Sequence, residues 1–512
     1  MNRTKNALRG IGWGIINKIL TIVMPFVLRT VILYKMGGLY LGINGLFSSI
    51  LNVLNLTELG ISSAIVFSMY APIANNDDSK VRKLLFFYKR CYQIIGSIIA
   101  FCGIIILPFL SCFIAGDYPK GINIYIVYLI HLLSVVISYL LFAYKRSLFQ
   151  ACQRNDVLSN INSIIAIIQY GLQIFIIIML NNYYAYIIVM PITVIFNNIA
   201  TAYISKKMYP QYYPDKGLDE YERRSIWHKV KGLIYQKLGS VILTSVDSIV
   251  ISSFLGLNIL AVYQNYNYII TSVIGILDVV FTVLVSGIGN TVAKETLDYN
   301  YDMFKKINMS YILFVSICTT IMGVMMNPFM ILWVGNSYLL SNVYVILFAV
   351  YFFVYKWCDV LNIYQNACGI WYETRYVPLL ASVSNLVINI ILVKIIGLSG
   401  VLISTIISFV FVYNLLYAKY IFMLYFKKFD KGLHNFISRQ FTYMLICICV
   451  SLICEGLSSF IYIAGIVGFV LKGLLISALA MILYYFIYRN FSEFSFIRDK
   501  VELIMINVRR KE

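Results

Sequence analysis

Ionisable and amide side chains set inside apolar stretches are the residues of this chain most able to do chemistry. Arg29 and Glu58 lie in such stretches near the start, and about 220 residues further on Asp247 and Asp278 occupy matching places. A charged side chain at the centre of a membrane helix costs roughly 2.5 to 3.5 kcal/mol, so such residues normally face water, a partner or a cargo. Lys18, Ile22, Pro25 and Arg29 recur at helical spacing, which puts both cations on one face. Asn44, Ser48, Asn52, Asn55, Glu58 and Ser62 then make a polar stripe. Gln236, Lys237, Ser240, Thr244 and Asp247 repeat it in the second half, followed by Gln264, Asn267, Thr271, Asp278 and Thr282. The polar faces could meet water, cargo or another helix, and the carboxylates could pair with cations across a cavity or take up protons. The plainer alternatives are helix-to-helix hydrogen bonds for the Asn and Ser, worth around 0.6 kcal/mol each, and static salt bridges for Asp247 and Asp278. Lys356 and Asp359 are close enough in sequence to satisfy each other as a local ion pair.

The elements that must position these residues are membrane helices. Hydrophobic residues make up 61% of the chain and charged residues 12%, far below the roughly 25% charged residues of soluble domains. Apolar stretches long enough to cross a hydrocarbon core of about 30 Å predict fourteen spans: 11–34, 42–70, 89–114, 123–144, 157–180, 184–205, 231–256, 262–290, 307–332, 338–366, 375–396, 399–424, 436–460 and 463–488. The net charge of +19 does not signal nucleic acid. With Met1 placed inside, most of the Lys and Arg fall on the cytoplasmic side and Lys35, Lys120 and Lys394 fall outside, so both termini are expected in the cytoplasm of a multi-pass plasma-membrane protein. Basic clusters at Lys80 to Arg90, Lys427 to Lys431 and Arg509 to Lys511 fit contacts with anionic lipid. The charged start runs into a span with no small-residue cleavage site, which predicts a retained helix.

No enzyme chemistry is legible. His131, His228 and His434 are scattered, there is no phosphate-binding Gly loop, and Cys447, Cys449 and Cys454 lack clustered His partners, so no metal and no cofactor is expected. The ten cysteines are expected as free thiols. Predicted outside loops are too short for an extracellular domain, and the tyrosines, Tyr263, Tyr266, Tyr268 and Tyr364 among them, fit either helix packing or stacking on sugar rings.

Residues 28–62 parallel residues 246–280: a span ends in a Gly turn (Gly37 and Gly38; Gly256), a polar-spotted helix follows, and a basic loop comes next. An even number of spans between the copies makes this a parallel repeat. The expected architecture is all-α: a six-helix lobe at 1–207, a cytoplasmic connector at 208–230 with a short helix over Asp219 to Arg224, a second six-helix lobe at 231–425, and two further helices with a basic tail at 426–512.

The run from Arg29 through KMGGLYLGINGLF, with Gly37 and Gly42, to ELGIS, with Glu58 and Gly60, resembles the first two helices of Wzx-type polysaccharide flippases, and FLGLNILAVYQNY resembles their second-half counterpart. Their superfamily also holds multidrug extruders and lipid II flippases. Met36 stands where Leu is usual. The resemblance covers residues 1 to 425 and implies alternating-access transfer of undecaprenyl-diphosphate-linked oligosaccharide for surface polysaccharide, beside membrane lipid and in association with a polymerase and glycosyltransferases. It makes Lys18, Arg29 and Lys237 candidates for the diphosphate, and Asn52, Asn55, Gln236 and Asn267 candidates for sugar hydroxyls. It makes Glu58, Asp247 and Asp278 cavity carboxylates through which H+ or Na+ would reset the cycle. The competing expectations are a drug or cation antiporter on the same fold, which calls for an acid-dominated cavity, and a membrane polymerase or ligase, which calls for a large outer loop.

Overall fold

The computed structural model describes residues 3–55, 61–460, 465–496 and 498, and among these every regular element is a helix. Among the described residues, helix lies within each of the fourteen expected stretches, and eleven helices are long and apolar enough to cross a membrane, twelve if the bent pair Ile124–Leu140 and Ala143–Ala151 counts as one span. The 42–70 stretch contains two shorter helices, Gly38–Leu54 and Ile61–Ala74, with residues 56–60 outside the described residues.

The chain forms two compact units, Met1–Gln264 and Asn265–Glu512, so the division falls inside a helix beyond the connector. The first unit holds α1 (Arg3–Lys35), α2 (Gly38–Leu54), α3 (Ile61–Ala74), α4 (Asp78–Ile106), α5 (Ile124–Leu140), α6 (Arg146–Ala151), α7 (Asn155–Leu180), α8 (Tyr183–Met208) and α9 (Glu220–Leu255). It also holds the first turns of α10 (Leu257–Lys294), whose remainder opens the second unit. Polar residues cap these apolar helices where backbone N–H groups lack partners. Asp77 accepts from Lys80 N at 3.0 Å, Asn123 from Tyr125 N at 3.0 Å and Asn182 from Ala185 N at 3.1 Å.

The burial pattern of α7 is inverted relative to a water-soluble helix. Ile164, Ile167, Ile168, Leu172 and Phe175 are exposed, while Ser163 and Gln173 are buried. Apolar side chains facing outward and polar ones inward is the arrangement that lipid selects. α1 and α8 pack on α7, α5 packs on α8, and α2 packs on α9. Close approach dictates two glycines of α2: a Cβ at Gly42 would overlap the carbonyl oxygen of Leu257, and one at Gly45 would overlap the Gln264 side chain.

The repeated Gly turns share one backbone conformation. Gly37, between α1 and α2, has φ 97 and ψ 173, and Gly256, between α9 and α10, has φ 89 and ψ 171. Left-handed φ favours glycine at both places. The short helix expected over Asp219 to Arg224 is instead the beginning of the 36-residue α9, because Glu220 and Glu222 in its first turn suit the helix dipole and nothing interrupts the run to Leu255. Ahead of it, the connector is fastened to α4: Arg82 donates to Gln211 O at 2.8 Å and to the Tyr213 hydroxyl at 2.7 Å, with its guanidinium 4.3 Å from the Tyr213 ring centre.

The second unit continues through α11 (Leu297–Val334), α12 (Asn342–Lys356), α13 (Asp359–Cys368), α14 (Val377–Ile396), α15 (Leu398–Ile407), α16 (Leu415–Ile421), α17 (Asp430–Ser458) and α18 (Gly465–Tyr488). The 338–366 stretch is one span, Asn342–Cys368, in which a two-residue turn at Trp357 and Cys358 separates α12 from α13, and π-helical segments Ser408–Asn414 and Phe422–Phe426 flank α16. α17 and α18 dock on α11 through polar contacts. Gln440 donates to Asn308 at 3.0 Å, and the Thr320 hydroxyl lies 3.0 Å from Ser451 Oγ and 2.8 Å from the Tyr484 hydroxyl.

Candidate functional site

Polar side chains gather in clusters within each unit. In the first unit one cluster follows the inner faces of α1, α7 and α8. Asn17 donates to Ser163 Oγ at 3.2 Å, and Arg146 and Asn197 both donate to Asn162 Oδ1, at 2.9 and 3.1 Å. Thr193 donates to Gln169 Oε1 at 3.1 Å, and Gln173 donates to Tyr186 O at 3.4 Å. Further along, the Tyr183 hydroxyl donates to Asn44 Oδ1 at 2.9 Å, and Asn44 Nδ2 donates to the Tyr186 hydroxyl at 3.3 Å. Half-buried Arg29 is close enough for its charge to act on the phenols of both Tyr170 and Tyr186. Where Ser159 and Asn162 face α4 and α5, a polar cavity of about 350 Å3 opens, lined also by Tyr88, Tyr92, Tyr139 and Arg146. Beside it, outside the spans, a hydrogen bond to Asp156 raises the pKa of Arg154.

Asp247 is buried in α9 and accepts from the Tyr263 hydroxyl at 3.4 Å, beside Ser248, to which Gln264 donates at 3.5 Å. Lys18 and Gln236 are half-buried, and Asn52 and Lys237 are exposed. Asn55 closes α2 as its C-terminal cap. Glu58 lies outside the described residues.

In the second unit Asp278 finds its cation in Lys356, with Nζ 2.7 Å from Oδ1, and Lys356 also pairs with Asp359 at 2.9 Å. The Tyr311 hydroxyl donates to the same Asp359 oxygen at 2.5 Å. The local Lys356–Asp359 pair is thus part of a larger network. Asn267 is half-buried on α10. Tyr266 and Tyr364 are fully buried, donating to Asn327 Oδ1 at 2.6 Å and to Asn300 O at 3.1 Å, which makes them packing residues.

Sequence reasoning missed Tyr183, Tyr186, Gln169 and Gln173. The available signal was the spacing of Ser159, Asn162, Gln169 and Gln173 on one face of an otherwise Ile-rich helix.

No family model matches the chain, and no curated protein matches it in sequence. Solved structures do match in fold. The lipid II flippase MurJ in an inward closed conformation is 16% identical with a TM-score of 0.66, over 94% of this chain and 99% of that one. A eukaryotic MATE transporter is 12% identical with a TM-score of 0.58, over 86% and 99%. A MATE transporter of Vibrio cholerae is 13% identical with a TM-score of 0.56, over 84% and 99%. The chain is therefore a multi-pass, all-helical membrane protein with the fold of these structures, and a further structure of that fold is an inward-facing multidrug resistance MATE transporter of the MOP superfamily, 13% identical with a TM-score of 0.55.

Proposed function

We propose that this protein is a flippase that moves undecaprenyl-diphosphate-linked oligosaccharide across the cytoplasmic membrane by alternating access, with 1–207 and 231–425 as its two six-helix lobes. The observation that carries the reading is Arg29, a half-buried cation in a membrane helix whose charge reaches the phenols of Tyr170 and Tyr186, the second of which is hydrogen-bonded to Asn44. A diphosphate is dianionic or more and is held by cations in a medium of low dielectric constant, while sugar hydroxyls exchange hydrogen bonds with amides and phenols. The fold likeness to a lipid II flippase over nearly the whole chain supports the same cargo class. Lys18 and Lys237 serve as further diphosphate contacts in this reading, Asn52, Asn55, Gln236 and Asn267 as sugar contacts, and Glu58, Asp247 and Asp278 as carboxylates open to coupling by H+ or Na+.

Arg29→Ala and Asp247→Ala are each expected to abolish surface polysaccharide export at normal protein level. Wild-type export in both variants would remove the site assignment. The MATE likeness favours a second reading, a multidrug or cation antiporter. Under that reading, cells expressing the protein extrude cationic dyes and Arg29→Ala leaves extrusion intact.

A further inference from the structure

Near their first turns, α11 and α17 enclose a cavity of about 230 Å3 that is separate from the clusters described above. A single water needs only roughly 10 to 15 Å3, so the space calls for a larger occupant. Lys305 and Asn308 come from α11, Asn435 and Arg439 from α17, each pair at helical spacing on one face. The other four of the eight lining residues are aromatic: Tyr301, Phe304, Phe436 and Tyr443. The expected spans begin at 307 and 436, so these residues lie at the depth of a membrane–water interface, on the expected cytoplasmic side.

The chemistry of the lining calls for an anion. Among the described residues no carboxylate lines the cavity. Asn308 is 5% exposed, its Oδ1 accepts from Gln440, and its amide N–H groups have no acceptor among the described residues. Lys305 pairs with Asp302 at 3.1 Å, but Lys306 holds the same carboxylate at 2.7 Å. Lys428 pairs with Asp298 at 2.8 Å, and Arg439 pairs with Glu493. The cations Lys305, Lys306, Lys428 and Arg439 thus meet the carboxylates Asp298, Asp302 and Glu493, which leaves one positive charge over. Lys305 and Lys428 also converge on one wall, their Nζ atoms 5.3 and 4.7 Å from the centre of the Tyr301 ring. Two like charges brought together repel, and an anion between them turns that repulsion into attraction.

We propose that this cavity binds the phosphodiester of an anionic phospholipid headgroup. Lys305 and Arg439 supply the charge, and the amides of Asn308 and Asn435 donate to the phosphate oxygens. The single negative charge of a phosphodiester matches the single surplus positive charge. Basic pockets between membrane helices hold lipid headgroups in this way. A soluble phosphate ester offers the same oxygens, but the interfacial depth and the aromatic walls, which take the glycerol carbons, favour the lipid. Lys305 belongs to α11 and Arg439 to α17, so the bound headgroup fastens α17 to α11. The site stands whatever cargo the protein carries.

The test is native mass spectrometry of the purified full-length protein in detergent, titrated with phosphatidylglycerol or with zwitterionic phosphatidylcholine and read at the first lipid bound. A second arm is calorimetry with inorganic phosphate. The wild type is expected to retain phosphatidylglycerol in preference to phosphatidylcholine. Lys305→Gln weakens that retention roughly 5-fold, the worth of one cation beside an anionic lipid. Its partner Asp302 keeps Lys306. Arg223→Gln, the same charge change at an exposed residue of α9, leaves retention unchanged. Asn435→Ala, also at an exposed residue, weakens retention and keeps the test decisive if Lys305→Gln fails to fold. Equal loss in Lys305→Gln and Arg223→Gln, or no preference for phosphatidylglycerol, overturns the proposal. Lys305-dependent binding of inorganic phosphate by a protein that retains no phosphatidylglycerol also overturns it and assigns the cavity to a soluble phosphate ester.

Discussion

Replacing Lys356 by Met is expected to destabilise the protein several times more than replacing its partner Asp278 by Asn. Lys356 is 2% exposed and Asp359 13%, so the Met variant leaves Asp359 nearly buried with no cation. Breaking a buried pair by removing one partner costs about 3 to 5 kcal/mol. Asp278 is 55% exposed, and solvent screening limits its removal to about 0 to 1 kcal/mol, since Lys356 keeps Asp359. The double variant Lys356→Met/Asp359→Asn removes the stranded charge and should recover much of the loss, giving a coupling energy well above the roughly 0.5 kcal/mol expected for independent sites. Equilibrium unfolding of the purified full-length protein in one detergent, followed by tryptophan fluorescence and circular dichroism, measures these three variants and the Asp359→Asn single that completes the cycle. Equal costs for Lys356→Met and Asp278→Asn, or a double variant as unstable as the sum of its singles, would refute the reasoning.

The close approach of α2 to Leu257 makes Gly42→Ala costly by about 1 to 3 kcal/mol, while Gly171→Ala, with nothing within 4 Å, is near neutral or stabilising; the same unfolding assay compares them. Asn44→Ala leaves the Tyr183 hydroxyl only the more distant Tyr40 carbonyl at 3.5 Å and is expected to cost about 0.6 to 1.7 kcal/mol and to lower polysaccharide export, measured by unfolding and by surface staining. Arg82→Ala unfastens the connector from α4, and hydrogen exchange at the Asp215 amide, which donates to Arg82 O at 3.2 Å, is expected to speed up about 5-fold, for about 1 kcal/mol lost.

Helix positions and the Gly turns were legible because long apolar runs and φ-permissive glycines leave local marks, as Gly37 and Gly256 do with nearly equal dihedrals. Breaks without Gly or Pro left none. The chain bends by 51° after α5 at Phe142, a bulky residue at φ 54, and α12 stops at Lys356 without a proline. The site was legible to the level of which residues are polar inside a span. Which ones meet was not: Lys356 reaches Asp278 across 78 residues and Tyr183 reaches Asn44 across 139, and periodicity within one helix carries no information about the facing helix. The polar face of α7 went unread because isoleucines surround it, although burial shows that those isoleucines face outward.

The most direct test of the central claim is reconstitution of the purified protein into liposomes carrying undecaprenyl-diphosphate oligosaccharide on the inner leaflet. An impermeant lectin or glycosidase then reports arrival of sugar on the outer leaflet. The account predicts transfer well above that of protein-free liposomes and its loss in Arg29→Ala. Transfer at the protein-free rate, or undiminished transfer in Arg29→Ala, would contradict it.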